Sequence, residues 1–264
     1  ALEVDITDLD VHKEEFGKSS GLIRGICAGF VNRGYKIGGF NAASMSRVLS
    51  GSGLSSSAAY EVLIATILNH LYNDGSISDV EIAKIAQFAE NEYFGKPCGL
   101  LDQMTSSVGG FITIDFEDPS KPVINKVDFD FASCGHALCI VDTGGNHADL
   151  TDDYASIRKE MESAAEVFGK SVLREVDEDE LMQNISLVRE KVNDRAVLRA
   201  MHFYAENKRV DAEIAALENG DFEQFKMLVI ESGRSSYMYN QNVFTASDVE
   251  HQGVSLALAM CEYL

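Results

Sequence analysis

Residues 51–72 read GSGLSSSAAYEVLIATILNHLY, a glycine-serine run that passes without a break into an apolar stretch of helical spacing. A helix is expected from about Ser56 to Tyr72. Its lead-in admits two readings. In the first, Ser55 or Ser56 caps the helix and the glycines are loop. In the second, the backbone N–H groups from Gly51 through Gly53 and Leu54 to Ser55, Ser56 and Ser57 converge on an anion. There the helix dipole adds roughly half a positive charge.

The run is not a Walker A loop, because no lysine or arginine follows the glycines. A triphosphate held there needs a magnesium ion, and the ion needs a hard oxygen ligand from elsewhere in the chain. The stretch AENEYFGKPCGLLDQM (89–104) offers Glu90 and Glu92 near a helix end and Asp102 in a segment rich in glycine and proline. Glu90 and Asp102 are 12 residues apart and cannot be helix neighbours, but a turn between them could bring both to one cleft. Two carboxylates with separate tasks suit phosphoryl transfer, one for metal and one for the attacking hydroxyl.

Outward from this region, 17–33 has helical spacing and 36–49 alternates loosely as a strand would. Ser78 with Glu81 forms a capping box for a helix to about Tyr93. The stretch GKPCGLLDQMTSSVGG (95–110) reads as a shaped loop. FITIDF, VINKVDFDF and HALCIVD then read as three strands. Amphipathic helices are expected over 150–169, 177–190, 193–217, 221–232 and 248–264, with acidic EVDEDE (175–180) at a helix start. Strands and helices first and helices later give an α+β class, with domains at 1–145 and 146–264.

Composition narrows the function. The 264 residues carry a net charge of −20, which repels nucleic acid and anionic lipid and makes neither a partner. Five scattered cysteines without a C-x-x-C pair argue for a reducing compartment, and CGHALC (134–139) has no second pair at zinc spacing. No apolar run is long enough to span a membrane and no signal-peptide layout is visible, so a cytoplasmic location is expected. The chain starts without Met and ends within a helical pattern at ALAMCEYL, as a segment of something longer would.

GSGLSSSAAYEV together with AENEYFGKPCGLLDQM resembles the GHMP kinase family, and within it the galactokinases. GLIRGICAGFVNRGYKIGGFNAASMSRV, TGGNHADLTDDYASIRKE and HFYAENKRVDAEIAALENGDFEQFKMLVIESGRSS are similar to further stretches of that family, so the likeness covers nearly the whole chain. The resemblance implies a two-part GHMP-kinase-like fold. Its N-terminal half carries a left-handed βαβ crossover and the phosphate loop, and its C-terminal half is helix-rich. It implies that Gly51 through Ser57 cradle ATP, that Ser57 (with Ser56 the alternative) and Glu90 bind Mg²⁺, and that Asp102 is the catalytic base or charge partner for the sugar C1 hydroxyl. Gly99 and Tyr154 would line the sugar site.

Some positions depart from the family pattern. Val48-Leu49-Ser50 stands where a proline commonly precedes the glycines, and Asp153 stands where a glutamate commonly precedes the tyrosine. The N-terminal sugar-binding signature, with its arginine, and the glycine-rich third motif are not found in the sequence. The implied activity is ATP-dependent phosphorylation of galactose at its anomeric hydroxyl. The alternatives are a kinase of N-acetylgalactosamine or a related hexose, a silent sugar and ATP sensor, or an inactive core. The intact Ser55-Ser56-Ser57-Ala58-Ala59 run favours an enzyme over a sensor.

Overall fold

The computed structural model describes residues 2–48, 53–144 and 150–263. It is a mostly helical α+β chain whose contacts group into two units: Ala1–Ile114 with Ile124–Lys126, and Asp115–Val123 with Val127–Leu264. The expected break at 145 falls on residues outside the described set.

The first unit is built on α1 (Ser19–Asn32), α2 (Ser56–Tyr72) and α3 (Asp79–Ala89). Ile26 and Phe30 from α1, Ile64 and Leu68 from α2, and Ile82 and Ile85 from α3 form one buried cluster. Glycines at positions 21, 25 and 29 recur every fourth residue, so they share one face of α1. A Cβ on Gly25 would lie 2.9 Å from Ala89 Cα, and one on Gly29 would lie 2.9 Å from Ile85 Cγ2. Small residues along this seam therefore let α1 lie directly against α3. At the start of the chain, the buried Arg24 guanidinium donates to the Asp5 and Asp8 carbonyls and pairs with Glu15 at 2.8 Å. That contact fixes the N-terminal segment on the unit.

Helix α3 has the expected cap: Ser78 Oγ accepts from Glu81 N over 3.3 Å. It then widens into a π turn over Glu90–Phe94, closed by Gly95 in the left-handed region (φ 76°). Next comes α4 (Leu101–Val108), which corrects the expected loop. Its backbone turns helical just past Gly99, where the glycine and proline run ends, and Asp102 sits in its first turn.

Two strands are described, β1 (Phe111–Asp115) and β2 (Val123–Val127), and they pair only with each other. Two strand expectations are therefore corrected. Of the expected strand 36–49, residues 36–48 are described and are irregular. Asn73 takes the place of a partner strand there: Lys36 N donates to its Oδ1, and its Nδ2 donates to Lys36 O, each over 2.9 Å. Ile37 and Phe40 still pack on the core. Residues 136–142 are irregular as well, with Leu138, Ile140 and Val141 exposed. His136 in this segment lies against the Phe222 ring and 3.0 Å from Lys226 Nζ. The described strands contain no βαβ crossover.

The second unit holds α5 (Thr151–Glu166), α6 (Glu178–Gln183), α7 (Ile185–Lys191), α8 (Asp194–Glu218), α9 (Phe222–Ser235) and α10 (Gly253–Tyr263). The helix expected over 177–190 is thus two, broken at Asn184, whose Nδ2 donates back to Glu180 O over 2.7 Å. Asp177 caps α6 by accepting from Glu180 N, as the acidic run implied. Ala164, Leu173, Leu181, Val188, Val197 and Ala200 belong to this unit's core. All five cysteines are free thiols. No helix among the described residues is long and apolar enough to cross a membrane.

Candidate functional site

Three elements of the first unit bring the expected residues together. Ser57, in the first turn of α2, donates its hydroxyl to Glu90 Oε1 over 3.0 Å. Glu90 sits where α3 gives way to the π turn. Such an extra residue in a helical turn re-aims side chains and is frequent at functional sites. Here it turns a carboxylate that is only 2% exposed toward the start of α2. From α4, Gln103 Nε2 donates to Glu90 Oε2 over 2.6 Å and to Glu61 Oε2 over 3.2 Å.

Glu61 lies one turn beyond Ser57 on α2 and, like Gln103, is fully buried. Burial first, and then the neighbouring Glu90 charge, push its carboxyl up to about 8, so it holds a proton at neutral pH. Glu61 Oε1 and Gln103 Oε1 have no partner among the described residues. A proton on Glu61 supplies one donor to a cluster of acceptors. Lys96 reaches within 3.8 Å of Glu90 Oε1 from an exposed position, where solvent screens the pair. Cys98, adjoining Gln103, has its thiol pushed up to about 12 by burial and by Glu90, which leaves it unreactive at neutral pH.

The donor chemistry suits a magnesium ion. The Ser57 hydroxyl and the Glu90 carboxylate are hard oxygens, and magnesium typically takes one or two protein groups and completes its shell with phosphate oxygens and water. No group of three or more His, Cys, Asp or Glu among the described residues could hold an ion alone. Such a partial shell is what a metal-nucleotide needs.

The lead-in to α2 is not a simple side-chain cap. Ser55, its N-cap residue, is in the left-handed region (φ 57°, ψ 42°) and its side chain makes no capping bond. A non-glycine residue there is uncommon and costs strain. Gly53 precedes it, exposed and at φ 74°, with open space where a Cβ would stand. Leu54 is exposed, and Ser55, Ser56 and Ser57 are half-buried. The expectation that Ser55 or Ser56 caps the helix by its side chain is not met at Ser55. Gly51 and Ser52 lie outside the described residues.

Asp102, beside Gln103, is exposed in the first turn of α4, and Gly99 is exposed one turn earlier. Tyr154 belongs to the second unit, near the start of α5, and is 60% exposed rather than packed on the core. Its neighbour Asp153 accepts from Thr245 Oγ1 over 2.9 Å.

Residues 21–110, which contain every member of this cluster, match the family described as GHMP kinases N terminal domain. This region of the chain belongs to the GHMP kinase family. Among relatives, the galactokinase of Thermotoga petrophila is 32% identical over 222 residues, 84% of this chain and 60% of that protein. The galactokinase of Streptomyces coelicolor is 33% identical over 205 residues, 76% of this chain and 51% of that protein. The fold matches the crystal structure of Lactococcus lactis galactokinase complexed with galactose, with a TM-score of 0.68 at 21% identity. That match covers 92% of this chain and 61% of the other. The chain thus matches between 51% and 61% of the length of these three proteins.

Three residues of the cluster escape a reading of the sequence. Glu61 stands four residues after Ser57, hence on the same helix face, inside an otherwise apolar run. That placement is the one signal that could have found it. Gln103 and Lys96 carry no such mark.

Proposed function

We propose that this chain is the ATP- and magnesium-binding part of a galactokinase-type enzyme that transfers a phosphoryl group to the anomeric hydroxyl of galactose. The observation that carries the reading is the contact of Ser57 with Glu90 at the start of a helix whose N-cap serine does not cap. The amides from Gly51 to Ser57 receive the phosphates of ATP, and the α2 dipole favours their charge. Ser57 and Glu90 hold Mg²⁺, which neutralises charge on the transferring phosphoryl when bound. Asp102, exposed next to this cluster, orients the sugar C1 hydroxyl and takes its proton. Gly99 and Tyr154 contact the sugar, by family likeness.

Galactose is named because the relatives are galactokinases and one is seen with galactose. N-acetylgalactosamine or another hexose is separated from it by a coupled ADP-release assay over a hexose panel. The assay is made on a polypeptide of the relatives' full length that contains this segment. Galactose-dependent ADP release is expected, and Asp102→Asn should abolish it while ATP binding persists. Undiminished turnover in that variant removes Asp102 from the reaction. ATP binding without turnover on any hexose in the unsubstituted protein supports a sensor instead.

A further inference from the structure

Gln103 stands between the two buried carboxylates, and its amide group explains how they can be adjacent. A carboxamide nitrogen has two hydrogens, and the two carboxylate oxygens are closer to it than its third acceptor, Cys98 Sγ at 3.5 Å. Gln103 Nε2 lies 2.6 Å from Glu90 Oε2 and 3.2 Å from Glu61 Oε2. The shorter bond has the length of a charge-assisted contact. It divides the Glu90 carboxylate between two tasks. Oε2 is held by Gln103, while Oε1 faces the Ser57 hydroxyl at 3.0 Å and the Lys96 ammonium at 3.8 Å.

The anchor of Gln103 is as firm as its grip. Both it and Glu61 are fully buried, and Gln103 lies in α4 directly after exposed Asp102. One side chain therefore links α2, the π turn and the first turn of α4. An apolar residue of equal volume could fill the same space, but it would leave Glu90 free to rotate and a buried carboxylate oxygen without a donor. The polar bridge fixes orientation, which packing alone does not.

We propose that Gln103 is a positioning residue of the magnesium site: by holding Oε2 of Glu90 against Glu61, it presents Oε1 to the ion beside Ser57. This rests on the reading of Glu90 as a metal ligand. The role is remote from the metal, and loss of such an outer partner typically weakens metal affinity by about 10- to 100-fold.

The test is a magnesium titration of ATP binding to this chain, followed by calorimetry, for the unsubstituted protein, Gln103→Met, Glu90→Gln and the double variant. Gln103→Met is expected to raise the magnesium concentration for half-maximal binding by about 10-fold. In the Glu90→Gln background the same substitution should add little, because Gln103 acts through Glu90. A merely structural role would give the same loss in both backgrounds, and that result overturns the proposal. An unchanged magnesium requirement in Gln103→Met, with a raised one in Glu90→Gln, overturns it as well while leaving the ligand assignment standing. If Glu90→Gln itself changes nothing, or the unsubstituted chain shows no magnesium-dependent ATP binding, the reading of Glu90 falls and takes the inference with it. Circular dichroism checks folding. Should Gln103→Met not fold, Gln103→Asn keeps the amide but is one methylene too short to span both carboxylates, and must show the same shift.

Discussion

Helices α2 and α3 lie in one unit, and each follows a serine, Ser55 in one case and Ser78 in the other. Ser78 has extended backbone and its hydroxyl accepts from Glu81 N, while Glu81 itself pairs with Arg33 at 2.6 Å. Ser55 has left-handed backbone and caps nothing, and two residues on, Ser57 turns its hydroxyl to a carboxylate 33 positions away. The first arrangement closes a helix end with its own residues. The second has an N-cap side chain that makes no capping bond, and it places a hydroxyl-carboxylate pair beside the first turn. Residue type does not separate the two ends. Backbone conformation and long-range partners do.

The sharpest way to break this contrast is to remove the hydroxyl that only one helix uses at long range. Ser57→Ala should raise the magnesium needed for ATP binding by on the order of 10-fold or more, in the range of lost metal-site partners. Far-UV circular dichroism should be unchanged, since alanine suits a first helical turn. An unaltered magnesium requirement would remove Ser57 from the ion's shell and return the start of α2 to the status of an ordinary helix end.

The polar cluster behind Ser57 predicts a pH dependence of stability. Burial, and next the Glu90 charge, raise the Glu61 carboxyl from 4.5 to about 8. Below about 4.5 both the folded and unfolded chains hold this proton, and its contribution to stability is complete. Between there and about 8 the unfolded chain releases the proton and the folded chain keeps it, so stability falls as pH rises, by up to about 1.4 kcal/mol per unit. Above that the loss levels off. Glu61→Gln keeps the shape without the titration. Urea unfolding from pH 4.5 to 8, with divalent metal chelated, should therefore show the variant gaining on the unsubstituted protein as pH rises. Parallel profiles would mean that Glu61 is ionised in the folded chain, with its charge met by a group other than Gln103.

What the sequence reveals follows the same division between local and long-range causes. Helix α2 was expected from about Ser56 to Tyr72 and is found over Ser56–Tyr72, because its apolar spacing and flanking turns are local signals. The Ser78 cap is local too. The segment 36–49 alternates like a strand, but alternation cannot reveal that Asn73 will occupy its hydrogen bonds. Glycine and proline around Leu101 suggest loop, and eight helical residues are too few for periodicity to overrule them. At the site, the missing lysine forces a search for an acid and leads to Glu90. Nothing comparable leads to Glu61 or Gln103, since their burial comes from the packing of α4 against α2 and α3.

The smallest effects compare the two serines directly. Ser78→Ala deletes a real cap bond and should cost about 1 kcal/mol of unfolding free energy. It should leave the magnesium requirement for ATP binding untouched, because Glu81 and Arg33 are not part of the Ser57–Glu90 cluster. Ser55→Gly should change neither property much. Glycine accepts φ 57° without the steric penalty of a side chain, so relief of backbone strain offsets its greater loss of freedom on folding, and stability should move by less than about 1 kcal/mol. The backbone proposed to receive phosphate keeps its shape in glycine, so nucleotide affinity should hold. Urea unfolding and ATP calorimetry on the two variants decide the matter. If Ser55→Gly loses as much stability as Ser78→Ala, the Ser55 side chain is closing its helix after all, and the difference between the two ends is one of backbone angle alone.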